Sequence, residues 1–246
     1  MFMTVFRTSG LLVLLSFLAA CASGPVPTDY INDPFEGINR QIHQFNKAVD
    51  DIALAPTAAV YGAVVPEAVR DAVDNSANNL ALPGQMINHI LQGEIPNALQ
   101  TTLRFVVNST LGIAGLFDPA SDLGLFEIPT NFGETLEVYS VAEGPYLELP
   151  LIGGSTVRGA LGIIVDFSID PLRYYIPTPE REYLFLLKGV GLIGERLAYS
   201  DLVNVLLYES SDSYASQRMA YLQNMRYILD TELVIEYLED PFAFDY

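Results

Sequence analysis

A single cysteine, Cys21, leaves the chain without the means to form an intramolecular disulfide. Histidine is nearly as scarce. His43 and His89 are the only two, and each reads as a surface or hydrogen-bonded residue, so little is at hand for histidine-based catalysis. Gly153-Gly154-Ser155-Thr156-Val157 starts like a nucleophile elbow but lacks the closing glycine. No H-E-x-x-H, P-loop or calcium-loop spacing occurs. The carboxylate pairs Asp50/Asp51 and Glu239/Asp240 are neighbours in sequence and read as solvated charge. Positive charge is scarce too: 12 Lys and Arg face 30 Asp and Glu, a formal net charge of −18. Phosphate contacts need a basic surface, so nucleic acid is excluded as a partner. The same deficit argues against adsorption on anionic headgroups. Long apolar runs are missing outside the N-terminus. One charge-free apolar stretch of the domain, Phe105–Phe117, falls short of the roughly 20 residues that a spanning helix needs.

What is present begins at the N-terminus. Met1–Ser9 carries one cation, Arg7, and an apolar run of signal-peptide length follows over Leu11–Leu18. It ends in Leu18-Ala19-Ala20-Cys21, which resembles a bacterial lipobox and places the lone cysteine at the acylated position. The expected outcome is cleavage before Cys21 and triacylation, more than the two anchoring signals that stable membrane attachment takes. Ala22 and Ser23 follow, with no aspartate of the kind that retains lipoproteins in the inner membrane. This favours a lipid-anchored protein on the periplasmic face of the outer membrane. Residues 1–20 are thus a signal peptide, 21–32 a tether, 33–230 one helical domain and 231–246 an acidic, aromatic tail. Half of the residues are apolar, with 13 Phe and 14 Tyr and no Trp. Such content beside so high a net charge hints that some apolar surface faces lipid.

Helical periodicity dominates the domain. Asp33 is a candidate cap, Pro34 suits a first helical position, and Phe35, Ile38, Ile42, Phe45, Val49 and Ile52 form one apolar stripe. The stripe reads first as core, with a lipid-facing surface as the alternative, and Pro56 is expected to end the helix. Further helices are expected over Pro66–Asn79, Gly84–Gln92, Pro96–Gly115, Ser155–Val165, Glu180–Ala198 and Asp212–Asp230. Gly191 and Gly194 would permit close packing. Asp118–Gly154 reads as ordered loop rather than strand. The class is all-α, with no internal repeat.

The motif Asp33-Pro34-Phe35-Glu36-Gly37-Ile38-Asn39-Arg40 resembles the MlaA (VacJ) family of outer-membrane lipoproteins. Ordered matches continue through Phe45-Asn46, Asp50, Leu91-Gln92-Gly93 and Arg104-Phe105. The strongest block runs from Asn131-Phe132-Gly133-Glu134-Thr135-Leu136 through Glu143-Gly144-Pro145-Tyr146 to Gly154-Ser155-Thr156-Val157-Arg158. Ser211-Asp212-Ser213-Tyr214, with Arg218 and Tyr221, is similar to a late Asp-Pro-Tyr segment. Ser140, Gly159 and Ser213 depart from the glycine, aspartate and proline usual there. The resemblance implies a single domain of short amphipathic helices forming a ring with a central amphipathic channel. It implies removal of phospholipid from the outer leaflet, with a trimeric outer-membrane porin and a periplasmic phospholipid-carrier protein as partners, and no cofactor. The competing readings are a hydrolase of lipid or glycan and a structural lipoprotein that braces porins.

Within that frame the Pro-rich stretch Asp166–Pro179 is the candidate for a hairpin at membrane depth. Charges there are costly unless they face water, a headgroup or each other. Asp166, Asp170 or Arg173 would then face a wet channel, Arg173 suited to a lipid phosphate, with Tyr174 and Tyr175 against lipid. A solvent-exposed loop is the plainer alternative.

Overall fold

The computed structural model describes residues 31–178 and 180–239, and in the last turns of the final helix, from residue 228, its backbone only. The fold is all-α apart from one short hairpin. Helix α1 spans Glu36–Val49 and passes through a π-helical turn, Asp50–Leu54, into α2, Ala55–Val64. Pro56 therefore begins a helix instead of ending one, because its missing N–H costs nothing in a first turn. The same device opens α4 (Leu82–Gln92), α5 (Ile95–Thr110), α6 (Pro119–Asp122) and α9 (Pro171–Tyr175). Between α2 and α4 lies α3, Glu67–Asn79. Gly93 adopts φ +83° and closes α4, so the chain reverses into α5 and the two helices pack together.

The stretch expected as loop is more ordered than its glycines suggest. Asn131 caps a helix α7 over Phe132–Val138 by accepting from the Glu134 amide. Strands β1 (Tyr146–Leu149) and β2 (Gly153–Thr156) pair antiparallel, with Tyr146 opposite Thr156. Ser155 and Thr156 are thus strand, and α8 starts only at Val157, capped by Thr156, and runs to Ile169. Sequence alternation missed β1 because no layer of helix side chains was expected to complete its edge. Asn39 and Asn46, two turns apart on α1, do so. Asn39 donates to the Tyr146 carbonyl at 3.1 Å and accepts from the Glu148 amide at 3.0 Å. Asn46 donates to the Leu149 carbonyl at 2.9 Å and accepts from the Leu151 amide at 2.7 Å.

The chain closes with α10 (Glu180–Ala198), α11 (Ser200–Asn204), a second π-helical turn over Val205–Glu209, and α12 (Ser213–Glu239). Helix α12 continues past Asp230, where the sequence suggested that the tail begins. Helix α10 lies against α2 and α3, and its glycines make that approach possible. A Cβ on Gly191 would stand 3.0 Å from Ala77 Cβ, and one on Gly194 only 2.6 Å from Asp74 Oδ1. Among the described residues no helix is long and apolar enough to cross a membrane.

The burial pattern is inverted. Among the described residues, buried polar and charged side chains outnumber buried apolar ones. The apolar stripe of α1 corrects its reading as core: Phe35, Ile38, Phe45 and Ile52 are exposed, Ile52 at 78%. The opposite stripe, Asn39, His43 and Asp50, is buried. Asp33 does not cap α1, which starts without a side-chain cap. Its carboxylate is instead held by Arg218, by Asn39 at 2.9 Å and by the Tyr214 hydroxyl at 2.5 Å. A small apolar cluster of Tyr146, Tyr214 and Leu222 fills the junction of β1 and α12, with the two tyrosine rings edge-on at 6.0 Å.

Candidate functional site

The inverted packing leaves a cavity of about 680 Å³. Its walls are the inner face of α1, the first π turn, the β1–β2 turn at Leu151–Gly153, and α10 with the segment after it. Most of the lining surface is apolar, and Val49, Leu54, Leu192 and Ile193 are among the residues that supply it. Charge enters at few places. Asp50, in the π turn, receives Arg196 Nε at 2.7 Å and Nη2 at 3.0 Å, and the Tyr208 hydroxyl at 2.8 Å. Arg196 also donates to Asn204 Oδ1 at 2.9 Å. Burial would raise the Asp50 carboxyl; the Arg196 and Tyr208 hydrogen bonds outweigh it and hold the group below its ordinary range. This network joins the two π turns, and such turns recur where a helix serves a site. Lys47 donates to the Leu207 carbonyl at 2.5 Å and lies over the Tyr208 ring. Glu195 faces the same cavity, and its carboxyl is raised by burial and by the charge of Asp74.

A second cavity of about 310 Å³ opens between α4, α8 and α10 and is lined by Asp166, Asp170, Phe167, Phe185 and Lys188, among others. The segment expected as a break or exposed loop is therefore the end of α8 followed by α9. Asp166 ties three elements together. It accepts from Asn88 at 2.8 Å and from the Phe132 amide at 3.0 Å. Asp170 caps α9 through the Leu172 amide and meets Lys188 at 3.4 Å. Arg173 turns back over the Phe167 ring at 3.8 Å and donates to the Phe167 carbonyl at 3.3 Å. Tyr174 and Tyr175 point outward, Tyr175 with 86% of its surface exposed. The structure thus gathers Asp166 and Asp170 at one cavity and leaves Arg173 and the tyrosines outside its lining. Cys21 lies outside the described residues.

Sequence reasoning did not find Lys47, Asp50, Glu195 and Arg196. A signal existed for Asp50, which falls on the same helical face as Asn39, His43 and Asn46. It also missed Ser213, His43 and Glu148, which line up at 2.9 Å and 3.6 Å like a hydrolytic triad. Both histidines prove buried and hydrogen-bonded. The trio lacks an oxyanion hole at Ser213: the Tyr214 and Ala215 amides are turned to the Asp212 carboxylate, which Arg40 grips with two hydrogen bonds.

The family model for the MlaA lipoprotein matches residues 31–228. The chain belongs to the MlaA lipoprotein family. It is 32% identical over 227 residues to the intermembrane phospholipid transport system lipoprotein MlaA of Escherichia coli (strain K12), covering 90% of this chain and 88% of that protein. The Haemophilus influenzae protein of the same name is 30% identical over 209 residues, 83% and 82% of the two chains. An uncharacterized Rickettsia typhi protein is 33% identical over 191 residues, 77% of this chain and 75% of its own. A solved structure from work on the structural basis for maintenance of bacterial outer membrane lipid asymmetry overlays with a TM-score of 0.66 at 32% identity, across 80% of this chain and 98% of that one. The strongest MlaA-like block in the sequence, from Asn131 to Arg158, is the segment that forms α7, the hairpin and the start of α8.

Proposed function

We propose that this chain is the lipoprotein of an intermembrane phospholipid transport system that carries mislocalised phospholipid out of the outer leaflet and so maintains lipid asymmetry. The observation that carries the reading is the inversion: polar side chains bury inward, aliphatic and aromatic ones face out, and an aliphatic cavity of about 680 Å³ opens inside. Water does not reward that arrangement, and a bilayer does. The energetics fit the role. Exposing two lipid tails of about 15 methylenes each costs on the order of 20 kcal/mol, so unaided transfer is slow. A cavity that shields tails while wetting the headgroup lowers that barrier with no covalent step. Irregular backbone at membrane depth is tolerated where it lines a cavity, as both π turns do here.

The finer parts of the reading rest on the same footing. Cys21 carries the lipid anchor, the protein sits on the periplasmic side of the outer membrane, and a trimeric porin and a periplasmic carrier are its partners. Asp166 and Asp170 form the wet wall of the second cavity, Arg173 beside it is available to a lipid phosphate, and Tyr174 and Tyr175 face lipid. The test is a deletion strain. Outer-leaflet phospholipid should accumulate on deletion and fall again on complementation. An unchanged outer leaflet would leave porin bracing as the better reading, and release of fatty acid or lysolipid by the pure protein would favour a hydrolase.

A further inference from the structure

The charges of the large cavity do not all cancel within the protein. Asp50 and Arg196 neutralise each other, with Tyr208 and Asn204 completing the pair. Lys47 and Glu195 are different. Both line the cavity, and among the described residues neither forms a salt bridge. Lys47 satisfies one donor on the Leu207 carbonyl and rests on the Tyr208 ring, with no carboxylate at the ammonium. Glu195 has Asp74 as its charged neighbour, a second anion, and Asp74 itself keeps Oδ1 buried without a hydrogen-bond donor. Aliphatic wall lies around both groups, in Leu54, Leu192 and Ile193.

An ammonium needs an anion and an uncompensated carboxylate needs a cation. From this we infer that the cavity is built for a zwitterionic phospholipid headgroup, whose phosphodiester meets Lys47 and whose ammonium meets Glu195. The inference rests on the transport reading and adds to it the class of lipid favoured. An anionic headgroup would satisfy Lys47 alone and set its charge against Glu195 and Asp74. A zwitterion answers both ends at once, and its tails lie on the aliphatic wall.

The test uses the full-length lipidated protein, incubated with vesicles of equal phosphatidylethanolamine and phosphatidylglycerol, with retained lipid measured by mass spectrometry. The expected result is enrichment of phosphatidylethanolamine by about threefold, the size of one exposed ion pair. Glu195→Gln, which breaks no internal ion pair, should abolish the enrichment, and Glu195→Lys should reverse it towards phosphatidylglycerol. Lys47→Gln should lower retention of both lipids. The same ratio in wild type, Glu195→Gln and Glu195→Lys would overturn the inference while leaving transport intact. No retention of either lipid by any form would overturn the transport reading with it. Millimolar glycerophosphoethanolamine should not displace the lipid, since most of the affinity is expected from the tails. Full displacement would assign the two charges to a soluble headgroup compound and overturn the lipid assignment.

Discussion

Asp50 shows how one side chain holds two irregular turns together. Its partner Arg196 is equally buried, and the hydrogen bonds between them are short. Removing one member of such a pair strands the other charge, so Asp50→Ala should destabilise the protein by about 3 kcal/mol or more. Joint replacement of Asp50 by Leu and Arg196 by Met should recover most of that loss, and urea unfolding of the three variants would show whether it does. Acid acts at a second pair. Asp212 is pushed down from 3.8 to about 2, chiefly by its hydrogen bonds from Arg40. A depressed carboxyl favours the folded state fully above its ordinary value and less as pH falls towards the lowered one. The link between α1 and α12 should therefore loosen between about pH 4 and pH 2. Arg40→Gln should move that titration up towards the ordinary carboxylate range, which an Asp212 carboxyl resonance followed by NMR would reveal. The pair is exposed, so its effect on stability is small.

Helices here are amphipathic in the usual sense and oriented in the unusual one. On α1 the buried stripe is Asn39, His43 and Asp50, and the exposed stripe contains Phe45 at 51%. Phe45→Asp should accordingly leave the fold intact by circular dichroism and weaken partition into vesicles. Collapse of the helical signal would restore the core reading of that stripe. Asn39→Leu should do the opposite. It keeps membrane affinity but leaves the Glu148 amide, the Tyr146 carbonyl and Asp33 short of partners, at about 2 kcal/mol or more. The α3–α10 contact gives a third element-scale expectation. Gly194→Ala places a methyl against Asp74 and should cost about 1–3 kcal/mol, read as a lowered unfolding midpoint.

At the scale of the molecule, high net charge and high apolar content coexist because they occupy different places. Many aliphatic and aromatic side chains turn outward, and the ion pairs of buried arginines, Arg104 with Asp118, Arg158 with Glu137 and Arg196 with Asp50, hold the interior together. Anchoring is the property that spans the whole chain. Cys21→Ser should leave an unprocessed precursor and lose outer-membrane fractionation, and a variant of normal mature size and location would rule Cys21 out as the lipid attachment point. If exposed apolar surface itself binds the bilayer, protein made without residues 1–21 should still sediment with vesicles and be released by detergent and not by salt.

The sequence by itself determined most of the longer helices, α3 and α5 at their prolines among them, and, through the block from Asn131 to Arg158, the family. Those features are local: a proline fits a first turn and a heptad of apolar residues makes a stripe whatever lies beyond. Only the tertiary structure decided which face of α1 turns inward, that Asn39 and Asn46 complete the edge of β1, and that Lys47, Asp50, Glu195 and Arg196 share one cavity. The physical reason is that a 3.6-residue period says a helix has two faces but not which solvent each meets. In water the apolar face is buried; against lipid the same pattern buries its asparagines and aspartates, and only the packing of distant helices reveals the choice.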